Sequence, residues 1–343
     1  MHTPPRRGRC GLLTGGRPVV SAVIPLYNKA PYIGRAIQSV LAQTEQEFEV
    51  IVVDDGSTDG GAAIVEHFAD PRIRLITQEN RGASAARNRG IRESWADLVA
   101  FLDADDEWYP AFLETALDLR RRYPGAGLYA TAYTIYNPDG GRRVASIAAV
   151  PPTPWSGLLP NYFRSAALGE PPISSSSVAI PRGVLKETGG FAEGHWWGED
   201  VDLWGRIAFR YPIAFTWRIG AVYHTDVVCR ACTRVQPIPE NPFVASARHA
   251  IERGQIPPEM LDDVLEYVAA KQLQTAARNI QAGRPDLARA NLAWCPTRRF
   301  RQRKFSYSLM ALIPAPWYRR YRSLKAALLP TVAEPADSRF RQH

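Results

Sequence analysis

Two apolar runs in this chain stop abruptly at clusters of aspartate about fifty residues apart. One reads Val50-Ile51-Val52-Val53-Asp54-Asp55-Gly56-Ser57, the other Leu98-Val99-Ala100-Phe101-Leu102-Asp103-Ala104-Asp105-Asp106. Short, continuously apolar runs fit strands covered on both faces, as in a parallel sheet flanked by helices. Carboxylates gathered at the strand ends repel one another unless a cation or a donor-rich ligand holds them. The carboxyl edge of a parallel sheet is also where open α/β folds bind ligands. The pattern therefore predicts such a sheet with a metal-assisted nucleotide site at its edge.

The surrounding sequence supports the sheet. Residues 19–24 form a strand pattern closed by Pro25, and a helix follows from Pro31 with Ile33, Ile37, Val40 and Leu41 on one face. Strand patterns recur at 48–53, 73–77 and 98–102. Between them, helices are expected after the turn and N-cap Gly56-Ser57-Thr58-Asp59 and over 83–94. Four alternations of strand and helix within about 90 residues argue for crossover connections. Further on, a helix is predicted to about Tyr123. A strand over 128–136 follows, with a turn at Pro138-Asp139-Gly140-Gly141, then an irregular proline-rich stretch over 150–172 and a strand over 174–180. Helices at 184–188 and 200–210 and a strand at 213–223 complete this part. Beyond Pro237 the pattern is helical, at 243–253, 259–282 and 285–293. The expected organisation is a disordered leader over 1–18, a catalytic domain over 19–237 and a helical region with a basic tail over 238–343.

The net charge of +8 is placed unevenly. Between Asp286 and Glu334 there is no acidic residue, but there are ten basic ones, so the rest of the chain sums to −2. Four cysteines are too few and too scattered for a disulfide framework, and the lone Cys229-x-x-Cys232 reads as an incidental pair, fitting a reducing compartment. No run of 18 apolar residues marks a membrane span, and the first 17 residues lack the apolar stretch of a signal peptide.

Five motifs follow in order: Pro25-Leu26-Tyr27-Asn28; Asp54-Asp55-Gly56-Ser57-Thr58-Asp59; Asn80-Arg81-Gly82 with Ala86-Arg87-Asn88; Asp103-Ala104-Asp105; and Gly198-Glu199-Asp200. Each is weak alone. As an ordered set over roughly residues 19–225, they resemble the family 2 glycosyltransferases of bacterial polysaccharide synthesis. The resemblance implies the GT-A fold, a mostly parallel central sheet flanked by helices, here with a C-terminal helical appendage. It also implies inverting transfer of a sugar from a nucleotide-diphospho-sugar, a UDP-sugar above all.

Carried over residue by residue, the resemblance puts Pro25, Tyr27 and Asn28 at the nucleobase pocket, and gives Asp55, with Asp54 beside it, the base N–H. Asn80 and Arg87 fall near the base or pyrophosphate. Arg87 can equally be a structural partner of Asp55 or Asp103. Asp103 takes the ribose hydroxyls and Asp105 the Mg²⁺ or Mn²⁺, a hard cation suited to carboxylate, phosphate and water oxygens. Asp106 is a candidate supporting partner. Asp200 is the general base and Glu199 its positioner or an acceptor contact; capping of the following helix by Asp200 is the plainer alternative. His195-Trp196-Trp197 reads either as a sugar-stacking wall or as core, and His224 either as a ligand to the metal or diphosphate or as a structural histidine.

The basic tail interleaves aromatic and aliphatic residues with arginines over 298–325, which suits an anionic membrane surface; packing on the protein's own domain is the alternative. No nucleic-acid motif accompanies the charge. The expected protein is cytoplasmic, peripheral at the inner face of the cell membrane, and acts on a glycan or lipid-linked acceptor. The competing expectation is a catalytically weak scaffold that binds a nucleotide-sugar within a glycan assembly complex. A nucleotidyltransferase on a related fold fits poorly, because Pro25-Leu26-Tyr27-Asn28-Lys29 stands where its Gly-rich loop belongs.

Overall fold

The computed structural model describes residues 17–227 and 235–314. Residues 1–16 of the expected leader, the pair Cys229 and Cys232, and the tail residues from Trp317 to Lys325 lie outside the described residues. The strands are β1 (Val20–Leu26), β2 (Phe48–Asp54), β3 (Ile73–Thr77), β4 (Leu98–Phe101), β5 (Glu107–Trp108), β6 (Leu128–Tyr136), β7 (Arg142–Val144), β8 (Ser156–Leu158), β9 (Val178–Pro181) and β10 (Ile213–His224). The helices are α1 (Ala30–Leu41), α2 (Gly61–Glu66), α3 (Ala83–Glu93), α4 (Phe112–Arg122), α5 (Tyr162–Leu168), α6 (Arg182–Thr188), α7 (Glu199–Ala208), α8 (Pro242–Glu252), α9 (Pro258–Gln281), α10 (Pro285–Ala293) and α11 (Arg301–Met310).

The strands form one sheet in the order β3-β2-β1-β4-β9-β6-β10-β5, with β7 against β6 and β8 against β10. The first four are mutually parallel, as the alternation predicts. Strand β9 runs antiparallel between β4 and β6, β10 lies parallel to β6, and β5 closes the far side antiparallel to β10. Every residue of β2 is buried, which explains its unbroken apolar run. Even Glu49 within it is buried, accepting from the Ser21 hydroxyl at 2.6 Å, the Trp95 amide at 2.6 Å and Arg74 at 2.9 Å.

Three stretches differ from the sequence pattern. Strand β1 continues through Pro25. The Val23 carbonyl accepts from Leu102 and the Leu26 carbonyl from Asp55, so Pro25 turns its missing N–H toward β4, beyond the last β1–β4 pair, where no ladder bond is lost. The proline-rich stretch 150–172 contains β8 and α5, the latter capped by Asn161, whose side chain accepts from the Arg164 amide at 2.9 Å. Residues 174–177 form a 3₁₀ turn instead of extending the strand, because Ser174 and Ser177 exchange capping bonds in a reciprocal box.

The described residues fall into two compact units. One comprises residues 17–227 and Pro242–Tyr267, the other Val235–Asn241 and residues 268–314, so that the contacts group α8 with the sheet although the expected boundary lies near 238. In the second unit, Leu273, Ala276, Ile280, Ala288, Leu292 and Cys295 form a small core. Asn279 fastens the 235–241 segment there, its side chain both accepting from and donating to the Ile238 backbone at 2.8 Å.

One packing contact sets the position of the site. Helix α3 lies so close to β1 that a Cβ on Gly90 would fall 2.3 Å from Cγ1 of Val23. Alanine at this position gains about 1 kcal/mol of helix propensity but must displace a buried strand side chain, so Gly90→Ala is expected to destabilise by a net of about 1–2 kcal/mol in urea unfolding. In a Val23→Ala background the penalty should largely vanish, and additive costs in that double-mutant cycle would contradict the packing account.

Candidate active site

The carboxyl ends of β1, β2 and β4 meet the start of α7 at one edge of the sheet. After β1, Asn28 adopts a left-handed backbone (φ 50°), and its side-chain oxygen accepts from the Thr58 amide at 2.8 Å. The Asn28 amide donates to Ser57 Oγ at 3.1 Å. These bonds hold the 26–29 turn beside the 55–59 turn. Tyr27, 43% exposed, is not a core residue. Gly60, not Asp59, stands at the N-cap position of α2, but the Asp59 carboxylate accepts from the first amide of α2, Gly61, at 3.0 Å and from Ala30 of α1 at 2.7 Å.

Asp54 and Asp55 end β2 and point to different partners. Asp54 accepts from the Ser57 amide at 3.1 Å. Asp55 is buried and accepts from the Gln78 side chain at 2.7 Å, the Arg81 amide at 2.9 Å and the Gly82 amide at 2.8 Å. Three donors are thus in place of the roughly four lone-pair positions a carboxylate offers. Asn80 lies exposed in the same loop, two residues before the left-handed Gly82 that opens α3.

The acids after β4 are each held differently. Asp103 accepts from Arg87 Nη2 at 2.7 Å, and its amide donates to Ser176 Oγ at 3.1 Å. Asp105 pairs with Lys29 Nζ at 2.7 Å, and its carbonyl accepts from Arg35 at 2.6 Å. Asp106 is buried, with its oxygens toward Ser176 Oγ at 2.5 Å and the His224 amide at 2.9 Å. Burial, then the Asp105 and Asp103 charges, push its carboxyl well above the usual carboxylate range. Asp106 thus supports the loop from within. The His224 ring is buried, with Nε2 2.8 Å from Glu107 and Nδ1 3.4 Å from Asp226. The bond from His224 holds Glu107 below its usual range despite partial burial.

At the start of α7, Gly198 in the left-handed region is the N-cap, so Asp200 is not. Glu199, Asp200 and Asp202 fill the first turn, where the helix dipole favours anions. Arg87 Nη1 reaches Glu199 at 3.0 Å, so one guanidinium joins the end of β4 to the start of α7. Of the two structural partners expected for Arg87, Asp103 is found and Asp55 is not. Burial works against the Arg87 charge, but Asp103 and Glu199 outweigh it and keep the guanidinium more firmly protonated than usual. Burial and then the Asp200 charge raise the Glu199 carboxyl, with Arg87 opposing them. Asp200 accepts from the Val201 amide at 2.7 Å and lies 3.4 Å from the Ser175 hydroxyl. Asp103, Asp105 and Glu199 each make an ion pair; among the described residues Asp200 makes none.

The loop before α7 is locked to α3. Asn88 donates to the Phe191 carbonyl and accepts from its amide, both at 2.9 Å. Glu193 accepts from Asn88 at 3.1 Å and pairs with Arg81 at 2.9 Å. Trp196 and Trp197 are half-buried and His195 is exposed, so none of the three is core. The sequence pattern did not single out Lys29, Gln78, Ser176 or Glu193. Lys29 directly follows the first motif and Ser176 stands in a run of four serines; nothing local marks Gln78 or Glu193.

Comparison with known proteins agrees with this geometry. Residues 21–189 match the model of glycosyl transferase family 2. The chain is 43% identical over 102 residues to the uncharacterized glycosyltransferase YibD of Escherichia coli (strain K12), covering 29% of this chain and 30% of that protein. It is 37% identical over 131 residues to the putative teichuronic acid biosynthesis glycosyltransferase TuaG of Bacillus subtilis (strain 168), covering 37% and 52%. The matches thus span from under a third to about half of the length of these curated relatives. Among solved structures, S. aureus TarS 1–349 in complex with UDP-GlcNAc aligns with a TM-score of 0.59 at 18% identity, over 89% of this chain and 91% of that one. Mannosyltransferase PcManGT from Pyrobaculum calidifontis, in complex with GDP-Man and Mn²⁺, aligns with a TM-score of 0.56 at 23% identity, over 91% and 85%. At these identities the likeness establishes the fold, which is GT-A.

The pH dependence of stability tests the Arg87 bridge. Because the folded pKa of Glu199 is raised, the folded state keeps a proton that the unfolded chain has released, so stability falls as pH rises from about 4.5 through the raised value. Removing Arg87 raises that value further. Arg87→Gln is therefore expected to cost about 3–5 kcal/mol in urea unfolding at pH 8, the scale for breaking a buried pair. The cost should be clearly less near pH 5. Equal penalties at both pH values would mean that Arg87 is not the counter-charge.

Proposed function

We propose, on the premise that the chain carries a glycosyl transferase family 2 domain, that it transfers a sugar from a nucleotide-diphospho-sugar to an acceptor hydroxyl with inversion at the anomeric carbon. The observation that carries this reading is the contrast among the four central acids. Asp103, Asp105 and Glu199 are each matched by a cation, whereas among the described residues Asp200, beside Glu199, is held by an amide and a distant hydroxyl and by no cation. A base must keep a lone pair for the incoming proton, and Asp200 keeps acceptor positions that no cation occupies among the described residues.

In this scheme Asp200 takes the proton of the acceptor hydroxyl. The oxygen attacks the anomeric carbon as the bond to the diphosphate breaks, and the bonding pair leaves with the diphosphate. Glu199, fixed by Arg87, positions Asp200 and the acceptor. Tyr27 offers an exposed ring for stacking on the base, with Pro25 and Asn28 shaping the turn. Asp55, with Asp54 beside it, has acceptor capacity for a base N–H. Asn80 and Arg87 border the nucleotide and Asp103 takes the ribose hydroxyls. We take the donor to be a UDP-sugar; one structural neighbour is a complex with UDP-GlcNAc and the other with GDP-Man, so the choice rests on the Asp55 reading.

The residues also fit a divalent cation. Asp105 and Asp103 offer hard oxygens, and the Lys29 ammonium on Asp105 shows that the position favours positive charge. Among the described residues no group of three or more ligands surrounds it, so phosphate and water would complete the shell. When bound, Mg²⁺ or Mn²⁺ neutralises the departing diphosphate as a Lewis acid. We assign the chemistry to residues 19–237, and the product to cell-surface glycan or polysaccharide, consistent with the name of the B. subtilis relative. No helix among the described residues is long and apolar enough to cross a membrane, and we place the enzyme peripherally at the inner face of the cell membrane with a glycan or lipid-linked acceptor.

Asp200→Asn keeps the shape and removes the base. Turnover should fall by about 10²–10⁴-fold with donor binding retained by calorimetry. Near wild-type turnover would remove Asp200 from this role, and donor binding by the wild type without turnover on any acceptor would favour a scaffold. A separate measurement concerns the cation: a chelator should abolish transfer and Mn²⁺ should restore it, while chelator-insensitive transfer would refute metal dependence. The donor follows from thermal shifts across a nucleotide-sugar panel with Mn²⁺, where UDP-sugars should give the largest stabilisation.

A further inference from the structure

Helix α11 turns the wrong way for a helix that serves only its own unit. Its inward side carries Lys304 and Tyr307. Lys304 Nζ donates to the Cys295 carbonyl at 3.0 Å, and Tyr307 packs with Phe300 on the small core that includes Leu273, Ala276 and Leu292. Arg289 donates to the Ala311 carbonyl at 2.6 Å, and Ala311 is fully buried. These contacts fix the rotation of the helix. Phe305 and Leu309, one turn apart, consequently face outward at 66% and 51% exposure, and Leu312 continues the stripe at 67%. An amphipathic helix ordinarily buries that stripe and exposes its lysine. Single exposed apolar residues need no explanation, but a contiguous row of large ones does.

The charge around the stripe identifies what would cover it. Arg298, Arg299 and Arg301 are exposed at its N-terminal end, Arg301 one turn before Phe305, and no acidic residue occurs between Asp286 and Glu334. Such a surface repels other basic surfaces, including a second copy of itself. It matches a layer that is anionic at its surface and apolar a few ångströms deeper, the boundary of an anionic lipid bilayer. We propose that α11 is the docking element for that surface: Phe305, Leu309 and Leu312 insert at the headgroup boundary while the flanking cations pair with lipid phosphates. The inference builds on the membrane-peripheral reading given above and locates it on one helix face.

The test uses the full chain and phospholipid vesicles without donor or acceptor, so its outcome does not depend on transfer. The protein should co-sediment with phosphatidylglycerol-containing vesicles, far less with phosphatidylcholine alone, and binding should weaken as salt is raised. The double substitution Phe305→Ser, Leu309→Ser lies at exposed positions and should leave the melting temperature unchanged. It should lower vesicle affinity by roughly a hundredfold, since each buried apolar side chain is worth about a factor of ten. Donor hydrolysis by the variant should match wild type. Absence of binding to anionic vesicles, or equal binding by the double variant, would overturn the proposal, as would a wild-type dimer in light scattering that the same substitutions dissociate. Vesicle binding by a protein that transfers nothing would leave the docking surface standing and count against the transferase reading alone.

Discussion

The edge of the sheet depends on one buried guanidinium. Arg87 bonds Asp103 at the end of β4 and Glu199 at the start of α7, residues almost a hundred positions apart, and its Cζ lies 5.1 Å from the centre of the Phe191 ring. A cation taken this far from water needs both carboxylates, and two carboxylates this close need the cation. The next residue, Asn88, closes two hydrogen bonds on the Phe191 backbone. Two consecutive residues of α3 therefore fix both the acids of β4 and the segment leading into α7. Their reach is set further down the same helix, where Gly90 lets α3 rest on Val23.

Phe191 itself needs a particular backbone. Gly190 sits in the left-handed region (φ 69°), and a Cβ there would meet the Asn88 side-chain oxygen at 2.6 Å. Arg206 of α7 donates to the Gly190 carbonyl at 2.6 Å and to the Thr188 carbonyl, and is itself held by Asp202 at 2.8 Å. The loop is thus gripped from α3 on one side and from α7 on the other. That double grip fixes the backbone leading into the first turn of α7, where Glu199 and Asp200 stand.

Much of the first half was legible because its information is local. The strand runs at 48–53, 73–77 and 98–102 and the helix faces between them are periodic within windows of a few residues, and the parallel order follows from the crossovers. The antiparallel half was less legible. Whether Val178–Pro181 lies between β4 and β6 depends on partners some fifty to eighty residues away, and the serines before it choose hydroxyl caps over ladder bonds. At the site, acids at strand ends could be read as unusual, but their partners could not. Lys29 meets Asp105, Ser176 meets Asp106 and Gln78 meets Asp55 across 76, 70 and 23 positions. Charge pattern likewise predicted that the segment 298–313 would be basic and amphipathic, but only the packing of Tyr307 and Ala311 decided which face turns out.

Ser176 shows how the two halves of the sheet are made to agree. Its Oγ accepts from the Asp103 amide and bonds Asp106, its carbonyl accepts from the Trp108 indole at 2.7 Å, and the neighbouring Ser175 hydroxyl lies 3.4 Å from Asp200. A short turn in the antiparallel half therefore touches both the acids of β4 and the acid of α7. The capping box that takes residues 174–177 out of the strand is what frees these hydroxyls to point sideways, since a continuous ladder would alternate them between the two faces of the sheet. The departure from the expected strand and the convergence of the site thus have one cause. In this GT-A fold the strand ends are locally encoded, whereas a long-range turn of this kind brings the acids after β4 and at the start of α7 into one place.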